Sequence, residues 1–297
     1  MKKSVYASFL MLGIMNIGPA LAADPIKAQK QSPAAQSVQS KVDKNVAAQA
    51  SEERKKILDD AVNAIVNTEK ALVALEANKK DEALSLLEKV TGKLDLIMAR
   101  DPDLALAPVD IDEVVIDVYT DVDSIKAMVK EAKKALDKGR LQEARNLIKG
   151  LASEIVISTT SIPLATYPDT IKTVAPLIDQ GKIDEAKQAL HDLLNTLVVT
   201  EHVIPLPLLR ANLLITEAEL LAENKKRTDK ENKTLTELLK AVRHQLELAE
   251  VLGYGDEDAF EPMYDQIKAI EKKIAGGKGG KGWFDKLKQQ FSTVFKK

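Results

Sequence analysis

Apolar residues recur three and four positions apart along most of the chain. From Ser51 they are Ile57, Leu58, Ala61, Val62, Ile65, Leu72 and Leu75, and a second run carries Ala83, Leu86, Leu87, Val90, Leu94 and Ile97. That spacing keeps one face of a helix apolar. It predicts further helices over 123–137, 141–157, 168–180, 183–199, 207–224, 229–252 and 257–274. Ser51 followed by Glu52 and Glu53 reads as the first helix start. Thr228 and Glu231 have capping-box spacing. Gly139, Gly181, Gly253 and Gly276 stand where a helix end wants a left-handed residue. Pro168 and Pro207 suit first-turn positions, whereas Pro176 falls inside its helix and should bend or split it.

The helical period fails in three places. Val109–Val122, Ile157–Leu164 and Val198–Leu206 are rich in β-branched residues, and they read as short strands or as extended connectors. The predicted fold is therefore mainly α, a compact bundle of antiparallel helical hairpins with short β elements near 111–119, 157–164 and 198–206. The bundle should occupy 51–275. Residues 23–50, rich in Ala, Gln, Ser and Lys with a weak period, read as a mobile linker.

Three segments align without gaps: LEANKKDEALSLLEKV from Leu75, LDKGRLQEARNLIKGL from Leu136 and IDQGKIDEAKQALHDL from Ile178. Each carries a Glu-Ala pair, at Ala83, Ala144 and Ala186, and a turn residue that tolerates the left-handed region, Asn78, Gly139 or Gly181. A proline follows each alanine at the same offset: Pro102, Pro163 and Pro205. Small alanine at the closest helix contact, an acidic first turn and a proline stop describe a short helical hairpin. The turn is similar to that of tetratricopeptide repeats, but the copies are spaced by 61 and 42 residues. A fixed period would give a solenoid, and uneven spacing favours a bundle of hairpins.

The first residues add a compartment. Lys2 and Lys3 precede an uncharged apolar run, Val5–Ile17, then Pro19 and Ala20-Leu21-Ala22. This is the pattern of a secretory signal peptide over 1–22, cleaved between Ala22 and Ala23, and too short to span a bilayer. The expected location is the bacterial periplasm. The 297 residues include no cysteine, so disulfides, thiolate metal sites and cysteine nucleophiles are excluded.

Overall charge is −2, but it is unevenly spread. Residues 24–275 hold 35 basic and 44 acidic residues, whereas 276–297 hold six lysines and one aspartate. This balance leaves no general basic face for nucleic acid. The three histidines, His191, His202 and His244, match no metal-ligand spacing, and surface or capping roles suit them better. GGKGGKG at 276–282 lacks the strand, spacing and Ser/Thr of a phosphate loop and reads as a flexible hinge. No nucleophile and base share a recognisable pattern. A non-enzymatic protein without metal or cofactor is expected.

Two segments invite a functional role. Between 101 and 123 stand eight acids and no base: Asp101, Asp103, Asp110, Asp112, Glu113, Asp117, Asp121 and Asp123. Packed on another acidic surface, such a segment would respond to acid, because protonation relieves the repulsion. As a solvated loop it would not. The tail places Trp283, Phe284, Leu287, Phe291, Val294 and Phe295 on one helical face with lysines mostly off it. An amphipathic basic helix of this kind docks on its own body, on a second subunit or on a membrane surface. The expected partners are a second copy of the chain or another periplasmic protein.

Longer stretches carry a family likeness. ALDKGRLQEARNLIKGLASEIVISTTSIPLATYP, NTLVVTEHVIPLPLLRANLLITEAELL, QLELAEVLGYG and FEPMYDQIKAIEKKIAGGKGGKGWFDKLK resemble the YfdX family of exported enterobacterial proteins. The resemblance covers roughly 110–297 and is less clear over 24–110. It implies a mainly helical periplasmic protein, linked to acid or multidrug stress, with no family catalytic motif to carry over. Three functions follow as expectations. The first is a self-associating or partner-binding stress protein, the second a module that sequesters small amphipathic molecules between helices, and the third an envelope protein held by its last helix.

Overall fold

The computed structural model describes residues 32–294 except Tyr119. The signal-peptide segment with Ala22 and Ala23, the side chain of Val294, and Phe295 lie outside the described residues. Two helices come first, α1 (Pro33–Ser37) and α2 (Gln39–Arg54). Then two helices and a strand follow one another three times. α3 (Asp59–Glu76) and α4 (Lys80–Arg100) lead into β1 (Leu106–Ile116). α5 (Val122–Asp137) and α6 (Leu141–Ile148) lead into β2 (Glu154–Pro163). α7 (Tyr167–Asp179) and α8 (Ile183–Leu194) lead into β3 (Val198–Pro205). The chain ends in α9 (Leu206–Glu223), α10 (Asp229–Val251), α11 (Glu257–Ile274) and α12 (Asp285–Val294).

The repeat is therefore helix–helix–strand, not helix–helix alone. Each hairpin turns as expected, with Asn78 at φ 56°, Gly139 at 69° and Gly181 at 76°. The next amide reaches back to close the helix end in all three, Lys79 to Ala74 and Arg140 to Ala135 at 2.8 Å and Lys182 to Leu177 at 2.9 Å. Ala83, Ala144 and Ala186 are buried where the paired helices touch.

The three β-branched segments join into one antiparallel sheet in the order β1-β2-β3. The helix predicted over 141–157 ends at Ile148, before Lys149-Gly150, and Glu154 onward pairs in the sheet instead. The helix predicted to 199 likewise stops at Leu194. β-branched side chains fit a pleated face better than a helix turn. Pro163 and Pro205 consequently close strands, and Pro102 alone follows a helix directly.

Two further expectations are corrected. Residues 33–54 are helical and packed, not linker. Their burial rests on Val38, Val42, Val46 and Ala50, one small apolar residue per turn. That stripe is too thin to stand out as a period, yet it covers the sheet and α9. Ser51 lies inside the last turn of α2, and the next helix begins at Asp59, after the break at Lys55–Leu58. α7 runs through Pro176 without a split.

Three larger apolar cores stand out among the described residues. In the first, α4 lies on α7 and α3 on α8, with Leu75, Leu94, Tyr167, Ile178 and Leu190 buried between them. The buried Tyr167 hydroxyl donates to Thr68 Oγ1 at 3.1 Å, and Thr68 in turn donates to the Ala64 carbonyl. The second gathers α9, α10 and α11 around Phe260 and is covered by α1 and α12. The third, smaller core seats one sheet face on α2 and α9 through Ile111, Ile155, Ile157 and Ile204.

Candidate functional site

Arg210 stands in the most buried stretch of the molecule. α9 begins LPLLRANLLI, and each residue from Leu206 to Ala211 is buried. A cation there requires a partner. Its guanidinium grips Asp117 just beyond β1, donating to Oδ2 at 2.6 Å and to Oδ1 at 3.2 Å. Both side chains are less than a tenth exposed. Arg210 also donates to Gln39 of α2 at 3.3 Å, and Ser153 Oγ donates to Asp117 at 2.6 Å. The Ser153 amide donates to the Tyr254 hydroxyl at 2.9 Å, which itself donates to Glu154 at 2.7 Å.

One network thus ties the end of β1, the start of β2, α2, α9 and the turn after α10. Burial, reinforced by the Glu154 carboxylate, pushes the Tyr254 phenol well above its ordinary range. It stays protonated and serves as a bridge. The geometry suits a structural lock between the sheet and the C-terminal helices.

The eight acids of 101–123 occupy different settings. Asp101 ends α4 and Asp103 lies in the following loop, both exposed. Asp110 and Asp112 are exposed on β1, and Glu113 is half-buried on its opposite face. Asp117 belongs to the lock. Asp121 caps α5 by accepting from the Ser124 amide at 2.8 Å, and hydrogen bonds from Ser124 hold its carboxyl below the usual range. Asp123 is exposed in the first turn of α5.

Among the described residues, the sheet face away from α2 is covered at one end, where Ala107 and Ile162 enter the first core. Beyond it lies a row of Val114, Val156 and Val203, in which Val114 and Val203 are 45% and 42% exposed. Ile116 and Val199 are exposed on the same face. The neighbouring row is Asp112, Ser158 and Glu201. An open apolar strip is therefore bordered by carboxylates, one of them from the acidic segment.

The tail lies on the body. Phe284, Leu287 and Phe291 are buried against the second core, and Trp283 packs partly at its edge. Lys288 pairs with Glu219 of α9 at 2.9 Å. The glycine segment is a tight strap. The Gly280 amide donates to the Ala222 carbonyl at 3.1 Å, and Arg227 holds the Lys278 carbonyl. A Cβ at Gly279 would lie 2.9 Å from the Ala222 carbonyl, and one at Gly280 2.6 Å from the Trp283 ring. Glycine here allows close approach rather than hinging.

His191 and His202 are exposed and His244 is half-buried. Among the described residues no three His, Asp or Glu side chains are placed to hold a metal ion. A cleft of about 760 Å³ opens between the α2–α3 connection and the end of α4, with Ile57, Leu58, Ile97 and Leu104 inside and Lys56 and Arg100 among its charged lining. No described helix is long and apolar enough to cross a membrane.

Sequence reasoning missed the Arg210 network. Its signal was a lone arginine inside an otherwise apolar run, which demands a buried acid from elsewhere. Ser153, Glu154 and Tyr254 gave no local signal, because their roles depend on tertiary contact.

The profile of the YfdX family, described as YfdX protein, matches residues 64–203. This part of the chain is a YfdX segment. The matched YfdX segment runs from the first turns of α3 nearly to the end of β3, so it coincides with the three helix–helix–strand units. It takes in α3 and α4, where the likeness was less clear, and stops before α9 to α12. A solved structure, that of Salmonella Typhi YfdX, shares 15% identity over 50% of this chain and 93% of its own, with a TM-score of 0.35. No curated protein matches the chain.

Proposed function

We propose that this chain, which carries a YfdX segment, is an exported, non-enzymatic periplasmic protein that works by association, with itself first and with a periplasmic partner second, and that acid favours the associated form. The periplasmic assignment rests on the signal-peptide pattern, and the link to stress rests on the family resemblance. The observation that carries the associative reading is the Val114–Val156–Val203 strip beside Asp112 and Glu201. Exposed apolar groups that gather on one face mark interaction sites. Burying this strip against a second copy crowds carboxylates at its edge, and protonation removes that cost.

The test is the mass of residues 23–297 by light scattering at pH 7.5 and pH 4.5. A larger, reversible subunit number at pH 4.5 is expected, and Asp112→Asn with Glu201→Gln should bring it toward neutral pH. Unchanged mass with intact helicity would overturn the acid response.

A second reading, capture of a small amphipathic molecule, is favoured by the cleft at Ile57, Ile97 and Arg100. A thermal-shift screen tests it, with Leu58→Glu as the blocked variant. A ligand that stabilises both proteins equally would argue against this site.

A further inference from the structure

Two of the three repeated hairpins cover each other, and the third is left over. Aligned on Leu75, Leu136 and Ile178, the repeats share seven positions at which the first and third hairpins are each at most 2% exposed. In α5–α6 these positions hold Ile125, Val129, Ala132, Leu136, Ala144, Ile148 and Leu151, all apolar. The face is therefore built like its siblings. Yet Leu136 is 48% exposed where Leu75 and Ile178 are 1%, and Ile148 is 45% exposed where Leu87 is 2% and Leu190 0%. Leu141, beside the turn, is 64% exposed. The nearest cover among the described residues is α10, whose Leu248, with Val251 and Leu252, packs on the base of the hairpin at Val122, Ile125, Val129 and Leu151 and leaves Leu136 and Ile148 exposed.

The sibling pair shows what such a face packs on. Its contacts are crosswise: the second helix of one hairpin lies on the first helix of the other, α4 on α7, and the reverse holds for α3 and α8. The Lys80 ammonium lies close to Gly181, so the two turns sit side by side. A crosswise arrangement of two equivalent units has approximate two-fold symmetry. Applied to one hairpin taken twice, it closes into an isologous dimer without further growth.

We infer that the α5–α6 hairpin is a dimerisation surface whose occupant is the α5–α6 hairpin of a second copy of this chain, seated as α3–α4 is on α7–α8. The inference rests on the self-association proposed above and adds to the acid-favoured sheet strip a second, separate interface that pairs two copies at neutral pH. Residues 122–148 carry seven basic and four acidic side chains. Like charge on both copies gives the contact a definite salt dependence: screening should strengthen it. An acidic protein or an anionic membrane on the same face would bind more weakly in salt.

The experiment measures the dimer dissociation constant of residues 23–297 by sedimentation at pH 7.5. It compares the unaltered chain with Leu136→Glu/Ile148→Glu, with Val114→Glu/Val203→Glu on the sheet and with Leu220→Glu on α9. All of these side chains are exposed in the chain itself, so the variants should fold. The hairpin variant should raise the constant by at least about tenfold, the sheet and α9 variants should leave it unchanged, and raising salt from about 50 to about 500 mM should lower it. Because the chain has no cysteine, a Leu136→Cys/Ile148→Cys protein should also yield disulfide-linked dimers on oxidation. A chain that is monomeric at every concentration and pH would end both this inference and the associative reading. An oligomer untouched by the hairpin substitutions, or one that weakens with salt, would overturn the inference and leave self-association standing.

Discussion

The core shared by α3, α4, α7 and α8 and the core built on α9 to α11 bury similar aliphatic side chains but are closed differently. The first is closed by duplication. Each hairpin supplies half of the interior, so Leu75 and Ile178, or Leu87 and Leu190, occupy equivalent buried places. The second has no matching half. It is closed from the two ends of the described residues, by Ala34 and Val38 on one side and by Phe284 with Leu287 and Phe291 of α12 on the other. Duplication makes the first core independent of the termini, whereas the second depends on them. The Arg210–Asp117 lock joins the sheet of the repeats to α9 of the second core.

Removing residues 279–297 should break that comparison most strongly. It strips three buried apolar anchors, worth roughly 5–9 kcal/mol at about 1.5–3 kcal/mol each. Hydrogen exchange should rise across α9, α10 and α11 while α3, α4, α7 and α8 keep their protection. Equal loss in both cores would show that they unfold as one unit. Asp117→Ala comes next. It leaves a buried guanidinium without its carboxylate, and urea unfolding should lose about 3–5 kcal/mol. Pairing it with Arg210→Met should recover much of the loss, because the uncompensated charge is then gone.

Much of this was legible in the sequence, and the remainder failed for identifiable reasons. The hairpin turns at Asn78, Gly139 and Gly181 followed from local backbone chemistry, as did the Thr228–Glu231 capping box, whose two reciprocal hydrogen bonds are present. β-branched segments signalled extended chain, but their joining into one sheet needed the long-range register. α2 escaped notice because one small apolar residue per turn gives little amphipathic contrast, although each of them is buried. At the candidate site the acidic run was visible as a run. Its division into exposed sheet acids, the Asp121 cap and the Arg210-bound Asp117 was not, since charge spacing does not reveal which carboxylate a distant arginine will take.

A smaller effect tests the first core alone. Burial pushes the Tyr167 phenol up to about 12, partly offset by its Thr68 hydrogen bond and with a further upward push from Glu69. The folded state therefore favours the neutral phenol. This contribution is fully present below the unfolded value of about 10 and is lost as pH rises through about 12, a total of roughly 3 kcal/mol. Tyr167→Phe should remove that alkaline loss at a cost of about 1 kcal/mol at neutral pH, for the hydrogen bond. An unfolding midpoint between about pH 10 and 12 that falls equally in the variant would assign the loss to other groups.

The smallest expected effect separates the covered hairpins from the open one. Gly139 and Gly181 both sit at positive φ, and a Cβ would meet nothing within 4 Å at the first and only the flexible Lys80 ammonium, 3.9 Å away, at the second. Alanine at either position therefore costs the same backbone term, about 1–2 kcal/mol. The consequences should differ. Gly181 belongs to a hairpin whose opening exposes the first core, so Gly181→Ala should lower global stability by that full amount. Gly139 turns a hairpin whose outer half leaves Leu136, Leu141 and Ile148 exposed among the described residues, so α5–α6 can open locally before the rest. Gly139→Ala should then raise exchange of amides near 136–148 and leave the urea midpoint nearly unchanged when the chain is dilute. At concentrations where the chain pairs, the same substitution should begin to show in the midpoint, because opening the hairpin would then cost an interface. Equal effects of the two substitutions at every concentration would mean that the third hairpin is as firmly held as its siblings, despite the exposure of Leu136 and Ile148.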